Sequence, residues 1–186
     1  MSIDMVVARY NEDVEWTKQF PRVLIYNKGD SLEDTYHEIR LLNVGKEGHT
    51  YYTHICENYD NLADYTLFLQ GNPFDHFPNL ISHVQQFMKT PPTRPFEPLG
   101  TNLFCCNLSG CNFHQNLPLK KVYEHLFEEK EDFAFTFYGG AQFIVSREQI
   151  RKRPKSFYQK IVELLNKEVN PVEGFVIERF HSFIFK

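Results

Sequence analysis

Three short polar clusters stand directly after apolar runs, and their side chains are of the kinds that hold a charged, oxygen-rich ligand. Asn11-Glu12-Asp13 follows the run from Val6 to Tyr10, Lys28-Gly29-Asp30 follows Val23 to Tyr26, and Gln70-Gly71-Asn72-Pro73-Phe74-Asp75-His76 follows Tyr65 to Leu69. In the third, Asp75 and His76, with Asn72 close by, can ligate a hard divalent ion and leave positions open for diphosphate oxygens. The same residues suit a plainer use, with Asn72-Pro73 as a turn and Asp75 capping a helix that begins near Phe77. Asn11 to Asp13 also reads as a turn and helix cap before Val14, and Asp30 as a turn residue. His181, between aromatics near the C-terminus, reads by itself as a core or edge histidine. The densest positive stretch, Arg147, Arg151, Lys152, Arg153 and Lys155, is either a solvated helix face or a landing surface for an anionic donor or glycan. Cys106, Cys111 and His114 lie close enough to supply three zinc ligands. No CxxC pair accompanies them, and reduced, buried or partly buried thiols are the favoured reading of the cysteines.

These clusters need elements to bring them together. The runs Val6–Tyr10, Val23–Tyr26 and Tyr65–Leu69 are apolar enough to be strands buried on both faces. Tyr51, Tyr52, Ile55 and Tyr59 repeat at three and four, which predicts a helix from Gly48 to Tyr59; Leu80, Val84 and Phe87 predict another from Leu80 to Met88. Such alternation predicts an α/β fold, a mostly parallel central sheet flanked by helices. In such sheets ligands bind beyond the carboxyl ends of the strands, where the three clusters converge. Further on, the proline-rich stretch 90–100 reads as a long surface loop, Lys120 to Glu131 as a helix, and Phe133–Phe137 and Gln142–Val145 as strands. Ser146 with Gln149 three residues on forms a capping box, and Pro154 sits at the first turn of a further helix with Phe157, Ile161, Leu164 and Leu165 inward.

Length and composition bound the possibilities. The 186 residues, 42% of them hydrophobic, fit one domain over residues 1–186 with a core that needs no staple. A net charge of −4 argues against a nucleic-acid wrapper. No run is long enough to span a bilayer, and Met1-Ser2-Ile3-Asp4 lacks the basic and apolar regions of a signal peptide, so a cytoplasmic protein is expected. There is no GxGxxG, no phosphate-binding P-loop and no GxSxG elbow.

Several segments form an ordered set: Val6-Val7-Ala8-Arg9-Tyr10-Asn11-Glu12-Asp13, Asn43-Val44-Gly45-Lys46-Glu47-Gly48-His49-Thr50, Phe68-Leu69-Gln70-Gly71, Gly140-Ala141-Gln142-Phe143-Ile144-Val145 and Glu178-Arg179-Phe180-His181. The set resembles a family of short domains of unknown function from fungi, bacteria and large algal viruses. That family looks like a reduced form of the GT-A glycosyltransferases and is similar to the amino-terminal domain of a chlorovirus capsid glycosyltransferase. The resemblance implies a nucleotide-diphospho-sugar transferase fold and transfer of a sugar from a UDP-sugar to a hydroxyl of a glycan acceptor. In a virus the setting would be capsid glycoprotein glycosylation in the host cytoplasm. It implies Mn²⁺ or Mg²⁺ held by Asp75, His76 and His181 at the place of an Asp-x-Asp motif, from which Asn72, Asp75 and His76 depart. It places Arg9, Tyr10, Asn11, Asp30, Gln70 and Gly71 on the nucleotide, with Tyr10 stacked on uracil, and Gly139, Gly140 and Gln142 beside the sugar or acceptor. Glu178 is the expected base and Asp75 acts through the metal. A catalytically weak nucleotide-sugar or glycan-binding module is the alternative, and whether further domains follow Lys186 is left open.

Overall fold

The computed structural model describes residues 1–90, 94–130 and 132–186. Pro91 and Pro92 of the predicted loop and Glu131 of the predicted helix lie outside the described residues. Met5-Val6-Val7-Ala8 is apolar at every position because both of its faces are covered. It lies within β1 (Ile3–Arg9); Val6 and Ala8 enter one hydrophobic cluster, Met5 and Val7 the other. β2 (Val23–Asn27) and β4 (Tyr65–Gln70) pair with β1 in parallel, one on each side. A short strand absent from the sequence reading, β3 (Glu38–Arg40), adds to β2. The 3₁₀ turn Glu15–Gln19 and α2 (Leu80–Lys89) flank the sheet; Val14, Phe20, Leu80, Val84 and Phe87 pack with Met5 and Val7. The other cluster includes Tyr51, Tyr52 and Ile55 of α1 (Lys46–Asn58).

The remaining strands correct the expected architecture. β5 (Phe96–Pro98), inside the segment read as a loop, pairs antiparallel with β9 (Phe143–Ser146), and β9 runs antiparallel to β4. The six-stranded sheet has the order β3-β2-β1-β4-β9-β5 and is mixed rather than mostly parallel. The reason lies in where the chain re-enters. The turn before β9 delivers Phe143 opposite Phe68, near the carboxyl end of β4, so β9 must run back until Ser146 faces Tyr65.

Between β5 and β9 the chain builds a second sheet of order β7-β6-β8 from β6 (Leu103–Asn107), β7 (Gly110–Cys111) and β8 (Ala134–Tyr138). Its β6–β7 register sets Cys106 opposite Cys111 with Cα atoms 4.6 Å apart, and the two are joined as a disulfide. This overturns the reading of those two cysteines as reduced thiols. It also removes the zinc alternative, since both sulfurs are used and the ring of His114 lies 4.5 Å from that of Phe175. Cys56 and Cys105 are free.

The helices α3 (Leu119–Phe127), α5 (Lys155–Leu165) and α6 (Val172–Ile184) complete the larger cluster. The capping box forms as expected at the short α4 (Arg147–Arg151): the Ser146 hydroxyl accepts from the Gln149 N–H at 3.1 Å. The positive stretch is largely spent on carbonyls left open at helix ends. Arg151 donates to the carbonyls of Tyr59 and Asp60 beyond α1, Arg153 to those of Phe183 and Ile184 at the end of α6, and Arg147 pairs with Asp64. Among the described residues no helix is long and apolar enough to cross a membrane.

Candidate functional site

β2 and β4 leave β1 in opposite directions, so the sheet has a topological switch at the carboxyl end of β1, where open α/β sheets bind ligands. The register brings Arg9 level with Asn27, and Ala8 level with Gln70. The loops here are held by side chains rather than by secondary structure. Arg9 donates from Nε to the Glu12 carbonyl at 2.9 Å, and from Nη1 to Asn27 Oδ1 and the Asp30 carbonyl, both at 2.8 Å. Asn11 Oδ1 accepts from the Asp30 N–H at 2.8 Å. Gly29 lies so tightly under this arrangement that a Cβ there would land on the Tyr10 carbonyl oxygen. Arg9, Asn11 and Asp30 are thus brought together as predicted, but they grip each other. Tyr10 is 51% exposed.

Two hollows open on either side of the first turn of α1. The first, about 350 Å³, is lined by Ala8, Arg9, Tyr10, Lys28, Asn43 and Asn170 among others; the second, about 250 Å³, by Gln70, His76, Gly140, Ala141, Glu178 and His181. Lys46 and Glu47 line both and join them. Lys28 reaches inward and donates to the carbonyls of Val44 and Lys46, both at 2.6 Å. Burial pushes its pKa down to about 8, against the opposing pull of Glu47. Lys46 lies 4.0 Å above the Phe175 ring, and Glu47 accepts from Gln70 at 2.8 Å. The first-turn N–H groups of α1 have no side-chain cap at Gly45. A helix N-terminus flanked by two ammonium groups is suited to an anion.

At the second hollow, Glu178 Oε1 accepts from the Gly140 N–H at 2.7 Å. Gly140 has φ +108°, and a Cβ there would stand 2.5 Å from the His76 ring, so glycine permits both the turn and the close ring. Gly139 donates to the Asn102 carbonyl instead of lining this hollow, and Gly71 packs against Glu12. Gln142 is buried, donates to the Pro73 carbonyl at 3.1 Å, and lines a different cavity behind the turn.

The residues expected to hold a divalent ion do not fit one as a set. Among the described residues no three His, Cys, Asp or Glu side chains are grouped as a metal would require. Asp75 is exposed, bonds to Asn72 at 3.1 Å, and is not part of the hollow that His76 and His181 share. Nor does Asp75 cap a helix, since α2 starts at Leu80 with Asn79 before it. His181 is buried, which pushes its pKa down to about 3, and its Nδ1 lies 2.8 Å from the Tyr52 hydroxyl.

Sequence reasoning placed Lys28 in a converging strand-end cluster without giving it a role, and it quoted Lys46 and Glu47 only within the ordered set, not as cleft residues. The signal was present in Gly45-Lys46-Glu47-Gly48, a glycine-flanked lysine at a helix start, the setting in which backbone N–H groups and an ammonium meet. The chain belongs to a family described as a protein of unknown function (DUF3431), which matches residues 5–186. No curated protein and no solved structure matches it.

Proposed function

We propose that this member of the family is a GT-A-like glycosyltransferase that moves a sugar from a nucleotide sugar, a UDP-sugar before others, to a hydroxyl of a glycan acceptor. The observation that carries the reading is the pair of hollows joined over the first turn of α1 at the sheet's topological switch. In it Tyr10 stacks on the base at the mouth of the first hollow. The diphosphate crosses Lys46 and the N-terminus of α1, whose positive charge offsets that gathering on the leaving group. The sugar occupies the second hollow beside Gln70, Gly140 and Ala141. Glu178, with Oε1 fixed by Gly140, takes the acceptor's proton on its other oxygen. The acceptor oxygen then bonds to the anomeric carbon as the bond to the diphosphate breaks and its electron pair leaves with the diphosphate. No step is routed through a metal, because the predicted ligands do not assemble.

A nucleotide-sugar-binding module without turnover is the second reading, favoured by the lack of a grouped carboxylate set among the described residues. Calorimetric titration with UDP, with and without Mn²⁺, followed by turnover of UDP-sugars, tests both. UDP is expected to bind without the metal, and Lys46→Ala to weaken it by about tenfold or more. Glu178→Gln is expected to keep binding and lower turnover by about a hundredfold or more. Binding with no turnover by the parent leaves the module; no binding under either condition overturns the nucleotide assignment.

A further inference from the structure

The first hollow over α1 holds a positive charge that the fold orients but does not neutralise. Lys28, half-buried just beyond β2, donates from Nζ to the carbonyls of Val44 and Lys46, both at 2.6 Å. These carbonyls flank Gly45, the residue before α1, which stands at φ +65°. Lys28 thus ties the end of β2 to the entrance of α1. Carbonyls aim an ammonium group without cancelling its charge, and two of them leave one of its three N–H groups unspent. Among the described residues Lys28 forms no ion pair, whereas Lys18, Lys160 and Lys167 each meet a glutamate.

Its charged surroundings are mostly of its own sign. Arg9 and Tyr10 line the hollow from the end of β1, and Lys46 and Glu47 from α1; the loop before α6 brings only Val169 and Asn170. Glu47 is the one acid that acts on Lys28, and its Oε1 is engaged by Gln70. His49, a turn further along α1, is kept neutral by burial and by Lys28 itself. A half-buried charge without a counter-ion is costly, and two things relieve it: easier loss of its proton, or an anion beside it. The first is already visible, since burial outweighs Glu47 and pushes the Lys28 pKa down to about 8. The second is open because Lys28 lines the hollow, about 350 Å³, together with Lys46. Two ammonium groups and a helix N-terminus against one carboxylate call for more than a single negative charge. We infer that Lys28 sets the charge specificity of the cleft: its ammonium takes a multiply charged phosphate or sulfate group as counter-ion, and the protein takes up a proton as that group binds. The inference rests on the reading of this cleft as a diphosphate site and names the residue that reads the charge.

Calorimetry of UDP binding at pH 8, in two buffers of different ionisation enthalpy, counts the proton. UDP loses its own last proton at about pH 6 and contributes little. The parent is expected to take up about half a proton per UDP, and above pH 8 to bind up to about tenfold more weakly for each pH unit. Lys28→Met should bind at least about tenfold more weakly and take up none. Lys28→Arg, charged at every pH used, should bind without uptake, and Lys46→Ala should weaken binding yet keep the uptake. Were Lys28 only a tie to α1, Lys28→Met would still weaken binding but the parent would show no uptake. Sulfate, a dianion throughout this range, is the second probe. Sulfate bound with uptake where UDP fails to bind would support the role of Lys28 and overturn the nucleotide assignment. UDP bound without uptake, or uptake that survives in Lys28→Met or Lys28→Arg, would overturn the role of Lys28 and leave the nucleotide assignment standing. Binding of neither probe would overturn both.

Discussion

The cleft over α1 and the cavity between the two sheets use polar side chains in opposite ways. At the cleft, Arg9, Asn11 and Asn27 are each bonded into the loops after β1 and β2, so their work is to set the shape of the backbone. Beside the cavity, Gln142, Arg179 and His181 each spend one polar atom on the fold and leave another without a partner. A satisfied polar residue near a site positions; an unsatisfied one sealed in a dry place is a cost that the packing around it must offset. The cleft keeps its free chemistry for Tyr10, Lys46 and the end of α1, and the polar trio behind the Gly140 turn lies buried among phenylalanines.

The comparison can be broken at the backbone. Gly29→Ala drives a methyl into the Tyr10 carbonyl, and is expected to cost about 3 kcal/mol or more. Gly110→Ala in the second sheet meets nothing within 4 Å and should stay within about 0.5 kcal/mol. Urea denaturation of the pair reads the difference directly. If Gly29→Ala is mild, the cleft is not held as tightly as its hydrogen bonds imply.

Acid sharpens it next. Burial lowers His49 beside the cleft to about 4, with Lys28 adding to the effect, and lowers His181 at the cavity to about 3. Both rings are neutral in the fold, whereas in the unfolded chain a histidine protonates near 6.5. Below that value the unfolded chain binds more protons, so stability falls as the pH drops toward about 4, by on the order of 3 kcal/mol for each ring. Thermal midpoints between pH 7 and pH 4 should show the slope, and His181→Gln should flatten it more than His49→Gln.

The smallest effect is expected from reducing Cys106–Cys111. The two cysteines are five residues apart, and closing so short a loop is worth about 2 kcal/mol at most. The disulfide lies in the second sheet, so dithiothreitol should lower the melting temperature modestly and leave the heat of UDP binding unchanged. A change in that heat would show the two regions to be coupled.

What could be read from the residues alone follows the same division. β1, β2, β4, α1 and α2 were legible because each buries enough apolar surface to impose a period, as Tyr51, Tyr52 and Ile55 do on α1. β3 and β5, three residues each, and the two-residue β7 are too short to carry a pattern. The direction of β9 depends on where its turn re-enters the sheet, which no local spacing records. The Cys106–Cys111 pairing is a matter of β6–β7 register. At the site, Arg9, Tyr10, Gln70, Gly140 and Glu178 do gather at the strand ends. Asp75 stands apart because the chain turns through 74–76 before α2 begins, and Gln142 and His181, read for the sugar and the metal, are instead buried beside the cavity behind the turn.

The pairing of Pro98 with Phe143 has a consequence for how such a protein can change. The chain leaves the main sheet at one of these residues and returns at the other, a gap of about 4.8 Å. Residues 99–142, with the second sheet and α3, therefore form a cassette mounted on adjoining strands. A lineage, or an engineer, can exchange that cassette for another of different length and keep β1, β2, β4 and the end of α1 where they stand. The hydrogen bond from Gly140 to Glu178 is then the splice that a new cassette must reproduce. The cassette can drift while what lies across α1 keeps its place, so a single scaffold can be refitted with many inserts.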